Sequence, residues 1–443
     1  MDNVTYNNDT NVANVKKFVF QRKIIYKRIF DILNRQNTSN KEHTMYKAYC
    51  KTFQFIMKLG NYLLPYRTPN LIEGDDALHR LTGIIKENNI SHIFIVTGKH
   101  VSKMSYFDEM LKDFGENSIK YSVFTDLNAN PTSENVETGV KAYFESKSEA
   151  LLAFGGGGPM DAAKAIGARI VNPKKSVSDL QGLLKVHKKI PMLFAVPTTS
   201  GTGSETTVAA VITDSVTHHK ASINDTKLIP SYAVLDPRLT TGLSPFTTAT
   251  TGMDALCHAV EAYTNHTYCT SLENDLAKKA VKLINDNIEE ACTDGQNITA
   301  RAAMQKAAFY AGRAFTRGCV GYVHAIGHTL GGLYNVPHGH AMACLLPKVM
   351  NAYGSAVYKR LSELADVCAI SGNSDKEKAE NFIKRIEDLN KILNIPDITD
   401  VIKPEDKPQI IEWAMREANP LYPVPVIWKK EDFEKFLDEI KVI

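Results

Sequence analysis

Two short stretches of the chain put carboxylate and imidazole groups at spacings that a metal ion can use. In SPFTTATTGMDALCHAVEAYT, residues 244–264, Asp254 and His258 stand four apart. A helix beginning at the Ser-Pro pair would show both from one face, about one turn apart. In VHAIGHTLGGLYNVPHGHA, residues 323–341, His324 and His328 repeat that spacing, and a glycine- and proline-bearing loop then brings His338 and His340. Divalent ions such as Fe²⁺ and Zn²⁺ take neutral imidazole and carboxylate ligands, and i, i+4 pairs on two helices present them efficiently. An isolated Asp-xxx-His pair is more often a hydrogen bond along a helix. Six such groups in two segments of an otherwise apolar, helix-patterned half read as a metal site, although spacing alone does not choose which four of the six would bind.

A second kind of chemistry is written in glycine. In ALLAFGGGGPMDAAKAIG, residues 150–167, an apolar strand runs into Gly155, Gly156, Gly157 and Gly158, and Pro159 suits the first position of a following helix. Such a turn leaves backbone N–H groups and a helix N-terminus facing whatever docks above the strand, which suits a pyrophosphate. Packing glycines in a tight turn are the plainer reading, but four in a row exceed what packing needs. The spacing is neither GxGxxG nor a P-loop. PTTSGTGSE, residues 197–205, follows the next apolar strand with small hydroxyls and two more glycines. Two neighbouring strands ending in such loops would form a cleft at the carboxyl edge of a sheet, where open α/β folds bind cofactors.

The elements that must carry these groups change character along the chain. HIFIVTG (92–98), KYSVFTDL (120–127), ALLAF (150–154) and PMLFAVP (191–197) read as strands, with SENVETGVKAYFES helical between two of them. Strands alternating with helices mean parallel βα units. After SYAVLDPRLTTGLSP (231–245) helical patterns take over. The expected division is a basic helical extension over 1–71, a dinucleotide-binding α/β domain over 72–240 and an all-helical metal-binding domain over 241–443. Within the extension, 15–34 and 45–64 have near-helical apolar spacing, the second ending at Pro65. A surface-docking helix is one reading of these stretches, with 15–34 as a membrane-surface contact. A helix packed on the body with its basic face solvated is the reading preferred here.

Composition removes other classes. A charge of +3 does not suit a nucleic-acid binder, and 44% hydrophobic with 23% charged residues is ordinary for a globular chain. The charge is unevenly spread: residues 1–70 carry twelve Lys/Arg against four Asp/Glu, whereas the remainder is mildly acidic. Seven cysteines without a CxxC pair point to a reducing, cytoplasmic setting. No uninterrupted apolar run reaches the length of a membrane span, and the first residues lack the apolar core of a signal peptide.

Taken in order and separation, GGGGPMDAAKAIG, PTTSGTGSE, GMDALCHAVEAY and VHAIGHTLGGLYNVPHGHA closely resemble the iron-containing (group III) alcohol dehydrogenases, from about residue 72 to the C-terminus. NPT (130–132) and LDPRL (235–239) look like further landmarks of that family. The resemblance implies a dehydroquinate-synthase-like fold, α/β plus all-α, with the active site between a nucleotide-binding and a helical domain. It implies metal ligands Asp254, His258, His324 and His338, with His328 handling substrate or a proton. It assigns Gly155, Gly156, Gly157, Gly158 and Asp161 to the pyrophosphate side, and Asn130, Thr198, Thr199, Thr202, Val211 and Lys220 to the rest of the cofactor envelope. The expected reaction is hydride transfer between NAD(P)(H) and a small alcohol or aldehyde at Fe²⁺, or Zn²⁺, in a homo-oligomer. A polyol dehydrogenase or a non-redox synthase on the same fold are the alternatives.

Two departures from the family pattern stand out. Its usual serine after the glycines is Gly158 here. Where many members end the first strand with an acid that bonds the adenosine ribose, this chain has Gly98 followed by Lys99. An acid would repel a 2′-phosphate; its absence, with Lys99 beside it, favours NADP(H) while leaving NAD(H) open.

Overall fold

Strands buried on both faces read as unbroken apolar runs rather than alternating ones, and ALLAF lies at the centre of such a sheet. The structure, a computed structural model, describes residues 40–128, 130–215 and 220–440. The stretch 15–34 falls outside them. The chain forms two units, residues 1–52, whose described part is helical, and 53–443, which holds the sheet and the later helices.

Helix α1 (Asn40–Leu63) precedes β1 (Asn70–Glu73), α2 (Ala77–Glu87), β2 (His92–Thr97), α3 (Ser105–Glu116), β3 (Lys120–Phe124), α4 (Ser133–Ser146), β4 (Ala150–Gly155) and α5 (Gly157–Ile170). Then come β5 (Gly182–Leu183), β6 (Met192–Pro197), β7 (Ala209–Thr213), β8 (Lys220–Asn224) and β9 (Tyr232–Leu235). Six strands make a parallel sheet in the order β1-β9-β6-β4-β2-β3. Alternate residues divide between two cores. Ile93, Ile95, Leu152, Phe154 and Val196 join Leu81, Ile85, Phe107 and Phe114 from α2 and α3 on one face. Phe94, Val96, Leu151, Ala153 and Ala195 join Val136, Tyr143, Ala162 and Ile166 from α4 and α5 on the other. Each large side chain so buried contributes about 1.5–3 kcal/mol.

The four strands expected from the sequence are all present in the sheet, and their order places β2, β4 and β6 side by side. Their C-terminal ends therefore set Gly98, Gly155 and Thr198 along one edge. The small second sheet, β5-β8-β7, was not foreseen. Its β7 and β8 form an antiparallel hairpin bearing Val211 and Lys220. The helix after the four glycines starts at Gly157, before Pro159. Proline sits there without loss because first-turn N–H groups have no partner within the helix.

A buried ammonium binds this edge together. Lys164, fully buried on α5, donates to Ser204 Oγ at 3.0 Å, Thr207 O at 3.0 Å, Thr207 Oγ1 at 2.8 Å and Ala209 O at 2.9 Å. One turn earlier Asp161 accepts from Ser204 Oγ at 2.9 Å and from the Val211 amide at 3.2 Å. Burial pushes Lys164 down to about 8 and Asp161 up to about 6, each opposed by the charge of the other. The ammonium thus ties the helix that opens the glycine turn to the loop after β6.

The second half is helical: α6 (Pro245–Asn265), α7 (Ser271–Thr293), α8 (Ile298–Gly318), α9 (Tyr322–Tyr334), α10 (His338–Tyr353), α11 (Tyr358–Val367), α12 (Asp375–Ile392), α13 (Lys407–Ala418) and α14 (Lys430–Glu439). Ser244 caps α6, its hydroxyl accepting from the Thr247 amide at 3.1 Å with Pro245 in the first turn. Apolar on most sides, α6 is buried along nearly its whole length, among α7, α8 and α10. The loop after β6 meets this half directly at Gly203. Its φ is +59°, and a β-carbon there would lie 2.6 Å from Gly312 Cα on α8, so only glycine at both positions lets the two backbones meet.

Among the described residues no helix is long and apolar enough to cross a membrane. All seven cysteines are free. Replacing Lys164 by methionine leaves Asp161 without its cation and several acceptors without a donor, and should lower unfolding free energy by about 3 kcal/mol. Urea denaturation reads this directly; an unchanged midpoint would show that the ammonium does not hold the loops.

Candidate metal centre

Asp254 and His258 project from the middle of α6, His324 and His328 from α9, and His338 is the first residue of α10 rather than part of a loop. Asn335, with φ of 55°, ends α9, and Pro337 at the N-cap presets the entry into α10. Gly339 then lets α10 start hard against α6, since a β-carbon there would run into the Thr250 backbone. This close approach carries His338 to the carboxylate of Asp254.

Asp254 Oδ1 lies 3.9 Å from His258 Nε2, 3.8 Å from His324 Nε2 and 3.3 Å from His338 Nε2. Two ligands held at first-row metal distances from one ion are about 3.4 Å apart in tetrahedral geometry. These four donors therefore stand close to the separations that a shared cation imposes, all within 4.8 Å of one another. Asp254 Oδ1 and His324 Nε2 are buried and have no hydrogen-bond partner. Buried polar atoms are rarely left so, and an ion is a standard reason. Three imidazoles and a carboxylate are a donor set for Fe²⁺ or Zn²⁺, so the residues present fit a resident divalent metal.

Electrostatics agree with that use. Burial pushes His258 down to about 3, which keeps its ring neutral and its lone pair free; Asp254 opposes this without reversing it. Burial would raise Asp254, but the rings of His258, His338 and His324 outweigh it and hold the carboxyl well below its usual range. His258 also stacks on Phe315, with centroids 4.1 Å apart, which fixes its plane.

A residue overlooked in the sequence reading completes the arrangement. Glu261, buried on α6, has Oε2 2.5 Å from His324 Nδ1, and its Oε1 accepts from the Val323 amide at 2.9 Å. A carboxylate on Nδ1 fixes the tautomer that leaves Nε2 as donor to a metal. The signal was legible: Asp254, His258 and Glu261 are spaced i, i+4, i+7 along one helix face. Burial lowers His324, but the neighbouring Cys257 and Glu261 outweigh it and raise the ring well above its ordinary value.

The remaining two histidines part company. His328 stays beside the cluster, its ring stacked on His338 with centroids 5.1 Å apart, and its Nδ1 lies 2.7 Å from Glu417 Oε1. Glu417 in turn accepts from Tyr422 OH at 3.1 Å. Neither partner carries a sequence signal, since both come from the chain's far end. His340 points elsewhere, its Nε2 2.5 Å from Pro396 O and its ring edge-on to Phe246.

Of the expected cofactor residues, Gly155, Gly156, Gly157 and Gly158 form the turn into α5, and Thr199 and Thr202 pack against Gly156 and Gly157. Thr198 donates its amide to Gly155 O at 3.1 Å. Gly98 has open space around it and Lys99 is exposed. Lys220 Nζ donates to Asn130 Oδ1 at 3.0 Å. Asp161 does not extend freely from the turn: its carboxylate is engaged with Ser204 and Val211.

Replacing His324 with alanine should abolish retention of divalent metal while leaving the sheet folded. Replacing Glu261 with glutamine should weaken metal affinity by about 10–100-fold. Chelator competition measures both, and wild-type affinity in the Glu261 variant would remove that residue from the arrangement.

Comparison with known proteins follows the same lines. Residues 68–237 match the family described as iron-containing alcohol dehydrogenase, and residues 248–440 match the Fe-containing alcohol dehydrogenase family, C-terminal. Alcohol dehydrogenase 4 of Saccharomyces cerevisiae is 35% identical over 80% of this chain and 92% of that protein. The NAD-dependent methanol dehydrogenase of Bacillus methanolicus is 34% identical over 76% of this chain and 88% of its own length. Among solved structures, a 1,3-propanediol oxidoreductase superposes with a TM-score of 0.81 at 30% identity, covering 85% of this chain and 99% of that one. With the fold and both halves of the sequence matched, the chain belongs to the iron-containing alcohol dehydrogenase family.

Proposed function

We propose that this protein interconverts a small primary alcohol and its aldehyde, with NADP(H) as the favoured hydride carrier. The observation that carries the reading is the convergence of Asp254 Oδ1 and His324 Nε2, buried and unpartnered, with the rings of His258 and His338. Asp254, His258, His324 and His338 would hold Fe²⁺, for which Zn²⁺ is the alternative with the same donor set. When bound, such an ion supplies Lewis acidity at the substrate oxygen, and the nicotinamide accepts or gives the hydride.

The chain's own residues supply binding, alignment and proton handling. Backbone amides at Gly155 to Gly158 would face a pyrophosphate at the start of α5. Thr198, Thr199 and Thr202 line the neighbouring turn, and Asn130, Val211 and Lys220 approach from the hairpin side. Asp161 acts through the turn it braces rather than by touching phosphate, since a carboxylate would repel that group. At His328, Glu417 orients the ring through Nδ1, leaving Nε2 to exchange the hydroxyl proton with solvent. Gly98 and Lys99 leave room and positive charge for a 2′-phosphate. A short diol is the second substrate class, supported by the likeness to 1,3-propanediol oxidoreductase.

Metal analysis paired with a turnover screen over short aldehydes tests the reading. Metal-loaded protein should oxidise NADPH only when aldehyde is present, and no turnover with any aldehyde or diol would refute it. Placing aspartate at Gly98 should raise KM for NADPH by about tenfold or more through charge repulsion, with a smaller effect on NADH. A wild-type enzyme that strongly prefers NADH would overturn the assignment of Gly98.

A further inference from the structure

Helix α1 buries Cys50 but leaves much of its apolar surface outward. Along its last turns it buries two amides, Gln54 at 1% exposure and Asn61 at 5%, while Phe55, Ile56, Leu59 and Leu63 stand 60%, 61%, 53% and 87% exposed. The inward face is held by polar bonds: Gln54 Nε2 donates to Tyr422 O at 2.9 Å, and Tyr66 OH donates to Asn61 Oδ1 at 3.1 Å. The outward residues fall at i, i+1, i+4 and i+8, one stripe of a helix. Single exposed hydrophobes need no explanation, but four large ones on a stripe opposite the packed face make an interaction patch. The helix precedes residue 68, where the family match begins, so the dehydrogenase chemistry does not account for it.

Charge selects the occupant. From His43 to Ile72 the sequence holds three lysines and one arginine and no acid. Lys58 sits on the same turns as the stripe, whereas Arg67 is turned inward and bonded to Ile229 O. A second copy of this helix would bring four lysines against four, with Glu42 as the one acid of each helix to pair with them. An anionic lipid surface instead takes apolar side chains to the level of the acyl boundary and pairs its headgroups with the lysines. We propose that the outward face of α1, with Phe55, Ile56, Leu59 and Leu63 as apolar anchors and Lys58 beside them, docks in the plane of an anionic membrane surface. This is attachment at the interface, not crossing, and it is independent of the catalytic reading.

Cosedimentation of the full chain with vesicles tests it. The protein should pellet with phosphatidylcholine vesicles containing phosphatidylglycerol and remain in solution with phosphatidylcholine alone. The double variant Phe55→Glu with Leu59→Glu should lose about tenfold or more of that partitioning, with its thermal unfolding and its turnover in solution unchanged. Tryptophan in place of Ile56 should shift its emission to the blue on anionic vesicles. Wild-type protein left in the supernatant, a double variant that pellets as well as wild type, or an unshifted tryptophan spectrum would each overturn the proposal. So would concentration-dependent self-association that the double variant abolishes without any vesicle binding, which would name a second copy as the occupant.

Discussion

Asp254 keeps its charge where, among the described residues, no lysine or arginine pairs with it; its neighbours are imidazoles. Taking a carboxylate out of water costs several kcal/mol, and imidazole rings are what offsets it here. Much of the helical half reads as an answer to this constraint. Helix α6 is sealed along its length to carry the carboxylate, Glu261 turns His324 toward it, and Gly339 lets α10 come close enough to add His338. On the proposed reading a divalent ion neutralises the group, so metal binding and the stability of this half are one equilibrium.

The sheet meets a different demand, which is to bring backbone amides together at one edge. Parallel neighbours β2, β4 and β6 end level with one another, and Lys164 clamps the turn after β4 to the loop after β6. That clamp is itself a buried ion cluster, in which burial also pushes Glu205 up to about 7. Besides the contact between Gly203 and Gly312, the chain thus holds two polar clusters, one at the turns and one of the acid and rings. Neither half could shift far without disturbing the other.

Much of this was legible beforehand, for reasons that differ by element. Strands such as ALLAF are recognisable because burial on both faces leaves no polar positions. The pairing of Asp254 with His258 follows from helical periodicity alone. Spacing could not choose between His338 and His340, because the choice rests on where α10 begins against α6, a contact between segments distant in sequence. The four-residue strands β1 and β9 and the β7–β8 hairpin escaped because short segments carry too little periodicity. Glu417 and Tyr422 gave no sign at all, being brought to His328 only by the packing of the chain's end. For α1 the exposed lysines Lys47 and Lys51 were legible as a solvated basic face, whereas the burial of Gln54 and Asn61 beside exposed Phe55 and Ile56 was not, because amide contacts leave no periodic signal.

Asp254 and the three imidazoles around it are not equally enclosed. Asp254, His258 and His324 are walled in, whereas the side chain of His338 is 42% exposed. On the proposed reading, the one open approach for an ion is therefore past the imidazole at the head of α10.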